Sequence, residues 1–385
     1  MPEAVIVDAV RTPLGKRNGF LADWQPTDLA AETLKALAER TSLDPELVDD
    51  VIMGCVSQVG EQTYNIGRNA VLGAGWPETV PGVTIDRQCG SSQQSVHFAA
   101  QGVMAGAYDV VVAAGVESMT RVPMGSSMLN ANPFGEKMRE RYHNGLVPQG
   151  LSAEMIAEQW SLSREDLDAI GLDSQMRAIR ATEEGRFENE IIPIEVKDEG
   201  VVTAVTTDQG LRPTTTMDTL AGLSPAFKQD GVVTAGNSSQ ITDGSAAMLI
   251  MSKEKADELG MKPRARFVSF SLAGTDPITM LTGPIPATQK ALGKAGLSVD
   301  DIDLFEINEA FAAVIGAWLA ETGADWDKVN VNGGAIALGH PLGASGARLM
   351  TTLVNELERS GGRYGLQSMC EGGGLANGTV IESLA

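Results

Sequence analysis

The chain has 385 residues, which is enough for two or three domains and a large core. Apolar residues make up 43% of it, aromatic residues only 5%, and there are 43 glycines, so the composition is typical of a globular protein with small aliphatic core side chains and excludes a disordered or fibrous chain. The net charge of −21, with no basic block, excludes nucleic-acid binding through phosphate neutralisation and attraction to an anionic membrane.

The cysteines and the N-terminus indicate a cytoplasmic protein. Three cysteines without a C-x-x-C pair cannot form a disulfide framework, which fits a reducing compartment. The first residues lead directly into an apolar run at 4–7, a pattern unlike a secretory signal. No stretch approaches 18 consecutive apolar residues, so we expect no membrane-spanning helix.

In chain order, the predicted elements repeat. Segments 33–56 and 288–310 each read as a helix, a turn with an acidic pair, and a buried strand. Both halves then continue with a strand, a helix and another strand, predicted in the first half at 83–85, 93–104 and 109–115, and in the second at 329–332, 345–359 and 365–369, with a last strand at 378–381. The pattern predicts an α/β protein built from two pseudo-symmetric halves, each with layered helices and a mixed or parallel sheet.

A long insertion in the first half makes the two halves unequal in length. The strand that ends at Gly115 finds its matching partner only at 246–250, whereas the second half needs a short glycine-rich turn. We expect an N-terminal half at 1–252 with an insertion at 118–240, and a C-terminal half at 262–385. The insertion has predicted helices at 152–160 and 166–184, and it is interpreted as a substrate-binding cover; a purely oligomerising insertion is the alternative.

Three candidate reactive side chains follow predicted strands: Cys89, His340 and Cys370. Ligands bind at strand ends in such folds. Cys89 opens a predicted helix, where free N–H groups and the helix dipole favour a thiolate, although a buried cysteine without a role is the commoner case. His340 lies on a glycine-rich turn, and a packed core histidine is its alternative. Cys370 precedes Gly372 and its neighbours, so the backbone can close around a reacting group.

Other chemistries lack their motifs. There is no phosphate-binding loop, no dinucleotide fingerprint in a strand–turn–helix context and no serine nucleophile elbow. Cys89, His340 and Cys370 could make a zinc site, but their spacing does not favour it and no metal is predicted. Cys55 is interpreted as structural, His97 as packed or partly exposed, and His143 as solvated.

Four motifs, in order, resemble those of the thiolases, the family of acetyl-CoA acetyltransferase and 3-ketoacyl-CoA thiolase. They are DRQCGSSQQ at 86–94, NEAFA at 308–312, NGGAIALGHPLGASG at 332–346 and CEGGG at 370–374. The resemblance extends over the whole chain and includes the opening DAVRTP at 8–13. It implies the duplicated thiolase fold of bacterial members and an acyl transfer between coenzyme A thioesters.

The resemblance also implies roles for five residues. Cys89 would form an acyl thioester, and His340 would take its proton. Cys370 would act as general acid and base at the α-carbon of the second acyl group. Asn308 would hold a water that completes one oxyanion hole with His340, and the N–H groups of Cys89 and Gly372 would form the other.

Coenzyme A is expected along the insertion, as substrate and product and not as a permanently bound cofactor. By position in the family pattern, Arg212 would lie near the adenine and Ser239 near the pantetheine arm, while Phe227 and Phe311 would line the channel. Because the protein is acidic, attraction for the anionic ligand must be local. We expect a homodimer or homotetramer, because pairing would cover sheet edges.

One segment departs from short-chain biosynthetic thiolases, which carry His-Met-Gly where this chain has Pro148-Gln149-Gly150. The methionine that walls a small acyl pocket is replaced by Gln149, and the DQGLRPTTT segment at 208–216 looks more like degradative bacterial thiolases acting on long or steroid-derived acyl groups. Two alternatives remain: a non-catalytic thiolase-fold acyl-CoA or lipid binder, and a decarboxylating ketoacyl synthase. That last class has a second histidine where Cys370 stands.

Overall fold

The structure, a computed structural model, describes residues 2–142, 145–198 and 200–385, so His143 lies outside the described residues. Its strands are β1 Ala4–Arg11, β2 Gly15–Lys16, β3 Asp50–Gly54, β4 Gly82–Ile85, β5 Val110–Ser118, β6 Ile194–Asp198, β7 Val201–Val205, β8 Thr242–Ser252, β9 Ala265–Gly274, β10 Leu304–Ile307, β11 Tyr364–Glu371 and β12 Leu375–Ser383. Its α-helices are α1 Pro26–Thr41, α2 Ile66–Gly73, α3 Ser91–Met104, α4 Glu136–Arg141, α5 Gln149–Gln159, α6 Arg164–Glu183, α7 Met217–Ala221, α8 Lys253–Glu258, α9 Pro284–Ala295, α10 Ala312–Thr322 and α11 Ser345–Ser360.

The two halves form one continuous sheet. The strand order is β10-β11-β12-β9-β1-β8-β5-β3-β4, with β2 beside β8. Each half uses the same plan: β5 lies between β3 and β8, and β11 lies between β10 and β12, with a parallel neighbour on one side and an antiparallel one on the other. A short antiparallel contact of β1 with β9 joins the halves. The predicted mixed α/β fold is confirmed.

Helices α3 and α11 pack against each other, and they share one core with strands of both halves. That core combines Val96 and Ala100 of α3 with Met350 and Leu353 of α11 and with strand residues such as Ile250. The helices approach closely where they begin, because Gly346 has no side chain. A Cβ there would lie 2.2 Å from the Gln93 nitrogen. The first turns of the two helices, and the loops before them, are therefore brought to one place.

The predicted strand at 329–332 is wrong beyond its first residue. Val329 makes a single bridge to Phe305, and the chain then turns because Asn330 adopts a left-handed conformation with φ 47°. The Asn330 amide replaces the sheet ladder: its oxygen accepts from the Ile307 N–H at 2.8 Å, and its nitrogen donates to the Ile307 carbonyl at 2.9 Å. The alternation of valine and asparagine predicts a strand, but here the Asn330 side chain makes the hydrogen bonds that a neighbouring backbone would make.

The insertion packs on both halves. Ile194 of β6 lies in the core of the first half, whereas α5 packs on the second. Ala153 and Ile156 of α5 share a core with Ala313 of α10 and with Cys370. Both predicted insertion helices are present, as α5 and α6, and the hairpin of β6 and β7 forms a separate small sheet. Within the ranges that the structure describes, no helix has the length and apolar character needed to cross a bilayer.

Candidate active site

Cys89 lies in a tight turn between β4 and α3. The preceding Gln88 has a left-handed backbone, with φ 49°. Ser91 fixes this turn: its hydroxyl accepts from the Arg87 N–H at 2.9 Å and donates to the Gln88 carbonyl at 2.6 Å. A strained non-glycine residue held by such bonds is a feature found at functional sites. The helix begins at Ser91, two residues after Cys89 and two residues before the predicted start at 93.

The surroundings of Cys89 oppose a resting thiolate. Burial raises the pKa of the Cys89 thiol above its ordinary value, and negative charge at Cys370 and Glu371 would raise it further. Backbone N–H groups of Gly372 and of Cys89 itself lower this pKa, because they stabilise negative charge on the sulfur. Burial thus opposes the thiolate that the helix terminus is expected to favour, and the backbone N–H groups act against burial.

Cys370 lies inside β11, one residue before its end, and not after the strand as predicted. Its sulfur contacts two groups of Asn308. The side-chain amide nitrogen and the backbone carbonyl oxygen of Asn308 each lie 3.8 Å from it. Burial raises the pKa of Cys370 to about 12, although the amide of Asn308 and the N–H of Ala310 act in the opposite direction. The resting group is therefore a thiol, which can give a proton.

The hydrogen bonds of His340 define its tautomer. Its Nδ1 is 2.5 Å from the Ser345 hydroxyl, and that hydroxyl donates to the Pro341 carbonyl at 2.9 Å. Nδ1 must therefore carry the hydrogen, which leaves the lone pair on Nε2 free. Nε2 faces the amide nitrogen of Asn308 at 3.5 Å. Burial lowers the pKa of His340 to about 3, so the resting ring is neutral and its Nε2 is unprotonated.

The structure thus brings residues of all four predicted motifs to one buried place. Asn308 joins His340 to Cys370, and Cys370 and Gly372 both act on Cys89. No hydrogen bond joins Cys89 directly to His340 among the described residues. Cys55 is buried in a different core cluster, and burial raises its pKa well above the usual value, which agrees with a structural thiol.

Arg212 and Ser239 line one open cavity of about 460 Å³. Lys16 and Arg17 line the same cavity, so three cationic side chains border it in a strongly acidic protein. A second cavity of about 430 Å³ also includes Arg212. The sequence analysis missed Lys16 and Arg17, which lie about 200 residues from Arg212 in the chain; no local motif marks them.

Phe227, Phe311 and Gln149 lie where the insertion meets the second half. The two phenylalanine rings contact edge to face, with centroids 5.9 Å apart, and Phe227 remains partly exposed. Gln149 is the first residue of α5 and half-buried, and its amide nitrogen would lie 3.4 Å from a Cβ at Gly372. The side-chain oxygen of Gln88 would lie 3.1 Å from the same Cβ.

A buried carboxylate that the sequence analysis missed holds this region together. Glu117 of β5 accepts from the backbone N–H groups of Val56 and Ser57, from the side chain of Gln62, and from the N–H of Gly343. It therefore ties the first half to the loop that carries His340. No sequence signal distinguishes it, because Gly343 lies 226 residues away.

No cluster of three or more histidine, cysteine or acidic side chains suited to a metal ion occurs within residues 2–142, 145–198 and 200–385.

Comparison with known proteins agrees with this arrangement. The thiolase N-terminal domain family matches residues 4–254, and the thiolase C-terminal domain family matches residues 261–383. A steroid 3-ketoacyl-CoA thiolase from Mycobacterium tuberculosis is 51% identical, covering 100% of this chain and 95% of that protein. A 3-ketoacyl-CoA thiolase from Bacillus subtilis is 44% identical over 99% and 100%. The crystal structure of the Bacillus anthracis acetyl-CoA acetyltransferase superposes with a TM-score of 0.92, at 41% identity, covering 100% and 99%.

Proposed function

The chain belongs to the thiolase family and is an acyl-CoA acyltransferase, and from that premise we propose that it cleaves 3-ketoacyl-CoA thioesters through an acyl group held on Cys89. The observation that carries the proposal is the junction at Asn308, where a neutral His340 and a protonated Cys370 meet beside the nucleophile. The family assignment argues against both the non-catalytic binder and the ketoacyl synthase.

In the first half-reaction, the Cys89 sulfur attacks the 3-keto carbon while Nε2 of His340 takes the thiol proton. The bond between C2 and C3 then breaks, and its electron pair goes to C2. Cys370 gives its proton to C2, which releases acetyl-CoA and leaves a Cys370 thiolate. The shortened acyl group remains on Cys89 as a thioester.

In the second half-reaction, the Cys370 thiolate takes the proton of the coenzyme A thiol. The resulting sulfur attacks the acyl-Cys89 carbonyl, and Cys89 leaves and recovers its proton from His340. All groups return to their starting protonation states. The steps are reversible, so the same residues support condensation of two acetyl-CoA molecules.

Two sets of donors are proposed to stabilise the oxyanions. The N–H groups of Cys89 and Gly372 lower the pKa of the Cys89 thiol, which supports their role as donors to the oxygen of an acyl group on that sulfur. Asn308 and a water are proposed to form the other set with His340. The Asn308 side-chain oxygen is buried and has no protein partner among the described residues, so it is free to bind that water.

Coenzyme A is proposed to occupy the cavities that share Arg212, with its adenine beside that residue and its pantetheine arm along Ser239. Lys16 and Arg17 supply local positive charge for its phosphates, which the acidic protein as a whole does not. The insertion at 118–240 provides the cover, and Phe227 and Phe311 provide the apolar wall toward the reacting groups.

The proposed acyl groups are longer or bulkier than acetoacetyl. Gln149 stands at the start of α5 with its polar amide toward Gly372, where a short-chain pocket has an apolar wall. The name of the Mycobacterium tuberculosis relative supports a bulky acyl group as well. The thiol chemistry needs a reducing compartment, which supports a cytoplasmic location. A homo-oligomer is proposed because β4 is an edge strand that, within the described residues, pairs with another strand on one side only.

The proposal is tested by incubating the protein with coenzyme A and a panel of 3-ketoacyl-CoAs, and following loss of the enolate absorbance. We expect coenzyme A-dependent cleavage, and accumulation of acyl-Cys89 by peptide mapping when coenzyme A is omitted. Cys89→Ser should abolish both signals while Cys55→Ser abolishes neither. An acyl group found on another residue would overturn the assignment of Cys89, and absence of cleavage across the panel would overturn the proposed reaction.

A further inference from the structure

Glu371 is a buried carboxyl group directly after Cys370, and neither of its oxygens has a hydrogen-bond partner among the residues that the structure describes. The side-chain oxygen of Asn377 on β12 is also buried and unpartnered within those residues. Both face Gly90: a Cβ there would lie 2.0 Å from a Glu371 oxygen and 2.7 Å from the Asn377 oxygen. Two hydrogen-bond acceptors therefore flank one point beside the Cys89 turn.

The orientation of Asn377 is set from its other side. Its amide nitrogen donates to the Gln94 side-chain oxygen at 3.0 Å and to Nδ1 of His97 at 3.3 Å. His97 is neutral, since burial lowers its pKa to about 3, and its Nε2 bonds Thr379 at 2.6 Å. Both hydrogens of the Asn377 amide are used in these bonds, so a hydrogen shared between the Asn377 side-chain oxygen and Glu371 must come from the carboxyl group.

Three nearby groups act on Glu371 besides burial. Arg87 and the nearby backbone N–H of Asn377 favour a negative charge there and lower the pKa, whereas Asp86 of the same turn raises it. The sulfurs of Cys89 and Cys370 lie on the other side, and α3 contributes only the neutral Gln94 and His97. Burial is the largest effect, and it raises the pKa of Glu371 well above its usual range.

We propose that Glu371 carries a proton in the working enzyme and donates it in a hydrogen bond to the Asn377 side-chain oxygen, and thereby positions the adjacent Gly372 N–H without placing a charge beside the two thiols. This role rests on the proposed function, because it matters through Cys89. Glu371 is a positioning residue, since it acts through Gly372. An ionised carboxylate at this place would oppose thiolate formation at Cys89, as two like charges oppose each other.

The test compares Glu371→Gln, an isosteric donor, with Glu371→Leu, which has no donor. The rate of Cys89 alkylation by iodoacetamide is measured against pH, with peptide mapping, and it gives the thiol pKa without requiring turnover. We expect Glu371→Gln to reproduce the wild-type pKa profile and to retain thiolysis within about threefold, because its amide replaces the carboxyl donor. Glu371→Leu should lose about tenfold in kcat, the effect of one buried hydrogen bond.

The opposite outcomes are distinct. If Glu371 is ionised, Glu371→Gln removes a negative charge and lowers the Cys89 pKa by about one unit or more, which overturns the proposal. A Glu371→Leu enzyme as active as wild type overturns the positioning role. If the leucine variant does not fold, the alkylation profile of Glu371→Gln decides alone. Because alkylation needs only the free thiol, its result is separate from success or failure of the proposed thiolase reaction.

Discussion

Strands β5 and β11 occupy the same place in the two halves, and each carries a buried glutamate near its end, but the surroundings of the two carboxyl groups differ. Glu117 of β5 accepts four hydrogen bonds, including one from Gly343 of the other half. Glu371 of β11 accepts none among the described residues and follows Cys370. The equivalent strand ends therefore differ in role: that of β5 joins the halves, and that of β11 carries Cys370, the proposed acid and base.

The same division appears at the turns before the two central helices. The first half presents Cys89 two residues before α3, and the second presents His340 five residues before α11. Gly346 brings these helices together, so the proposed nucleophile of one half and the proposed base of the other lie on neighbouring loops. A duplicated fold can thus place unlike groups at one site, because related turns converge there while their side chains diverge. The following changes test this difference between the halves.

The largest expected effect is at the reactive strand end. Cys370→Ala should still accept an acyl group on Cys89 from acyl-CoA, because acylation needs the thiol, His340 and the oxyanion donors. Thiolysis should fall by about 10²–10⁴-fold, the usual contribution of general acid–base catalysis. Mass spectrometry of the acyl-enzyme and steady-state rates check the two parts. Cys55→Ala removes the remaining buried thiol and should leave thiolysis intact; near-normal thiolysis by Cys370→Ala would make Cys370 structural.

The next largest effect is expected on stability, at Glu117 near the end of β5. Glu117→Gln places an amide against backbone N–H donors, so two of the four hydrogen bonds are lost and their donors remain buried. We expect the free energy of unfolding to fall by about 2–4 kcal/mol, measured by urea denaturation. Glu371→Gln is the matched control and should change it by less than about 1 kcal/mol, because its carboxyl group accepts no bond. Equal losses for both variants would contradict the contrast between the strand ends.

The sequence predicted most of the elements that carry the site, but not the hydrogen-bond partners of the two buried glutamates. Apolar periodicity and the glycine-rich turns predicted α3, α11 and β5, and four local motifs predicted Cys89, Asn308, His340 and Cys370 as a group. The partners of Glu117 and Glu371 could not be predicted, because hydrogen bonds across hundreds of residues leave no local pattern. The strand prediction around Asn330 was wrong for a related reason. The apolar pattern predicts backbone hydrogen bonds, but the Asn330 side chain makes them instead.

The outer edges of the halves also differ. In the first half, β4 is an open edge with a partly exposed Val83, whereas the corresponding segment of the second half, around Val329, is covered by α6, whose Arg177 bonds the Val329 carbonyl. We expect β4 to pair between subunits. Val83→Lys should raise the dimer dissociation constant by about tenfold or more, because two added charges meet across the interface.

Light scattering at micromolar concentration measures this shift. Val201→Lys, on the exposed hairpin of β6 and β7, is the control that adds the same charge to another exposed valine and should leave assembly unchanged. A wild-type protein that is already monomeric would contradict the pairing of edges.

The smallest expected effect concerns Gln149, where the insertion of the first half meets the reactive loop of the second. Its amide lies toward Gly372, so this side of the acyl site has a polar and not an apolar wall. We expect wild-type protein to cleave six- and eight-carbon 3-ketoacyl-CoAs at least as well as acetoacetyl-CoA. Each methylene that enters an apolar channel contributes about 0.8 kcal/mol, which is severalfold in kcat/KM until the channel is filled. Gln149→Met should narrow the site and shift this preference severalfold toward acetoacetyl-CoA, whereas Gln88→Met, the same change at the other glutamine near Gly372, should not. A wild-type kcat/KM that falls steeply with chain length would mean that another side chain closes the pocket, and that Gln149 does not set acyl size.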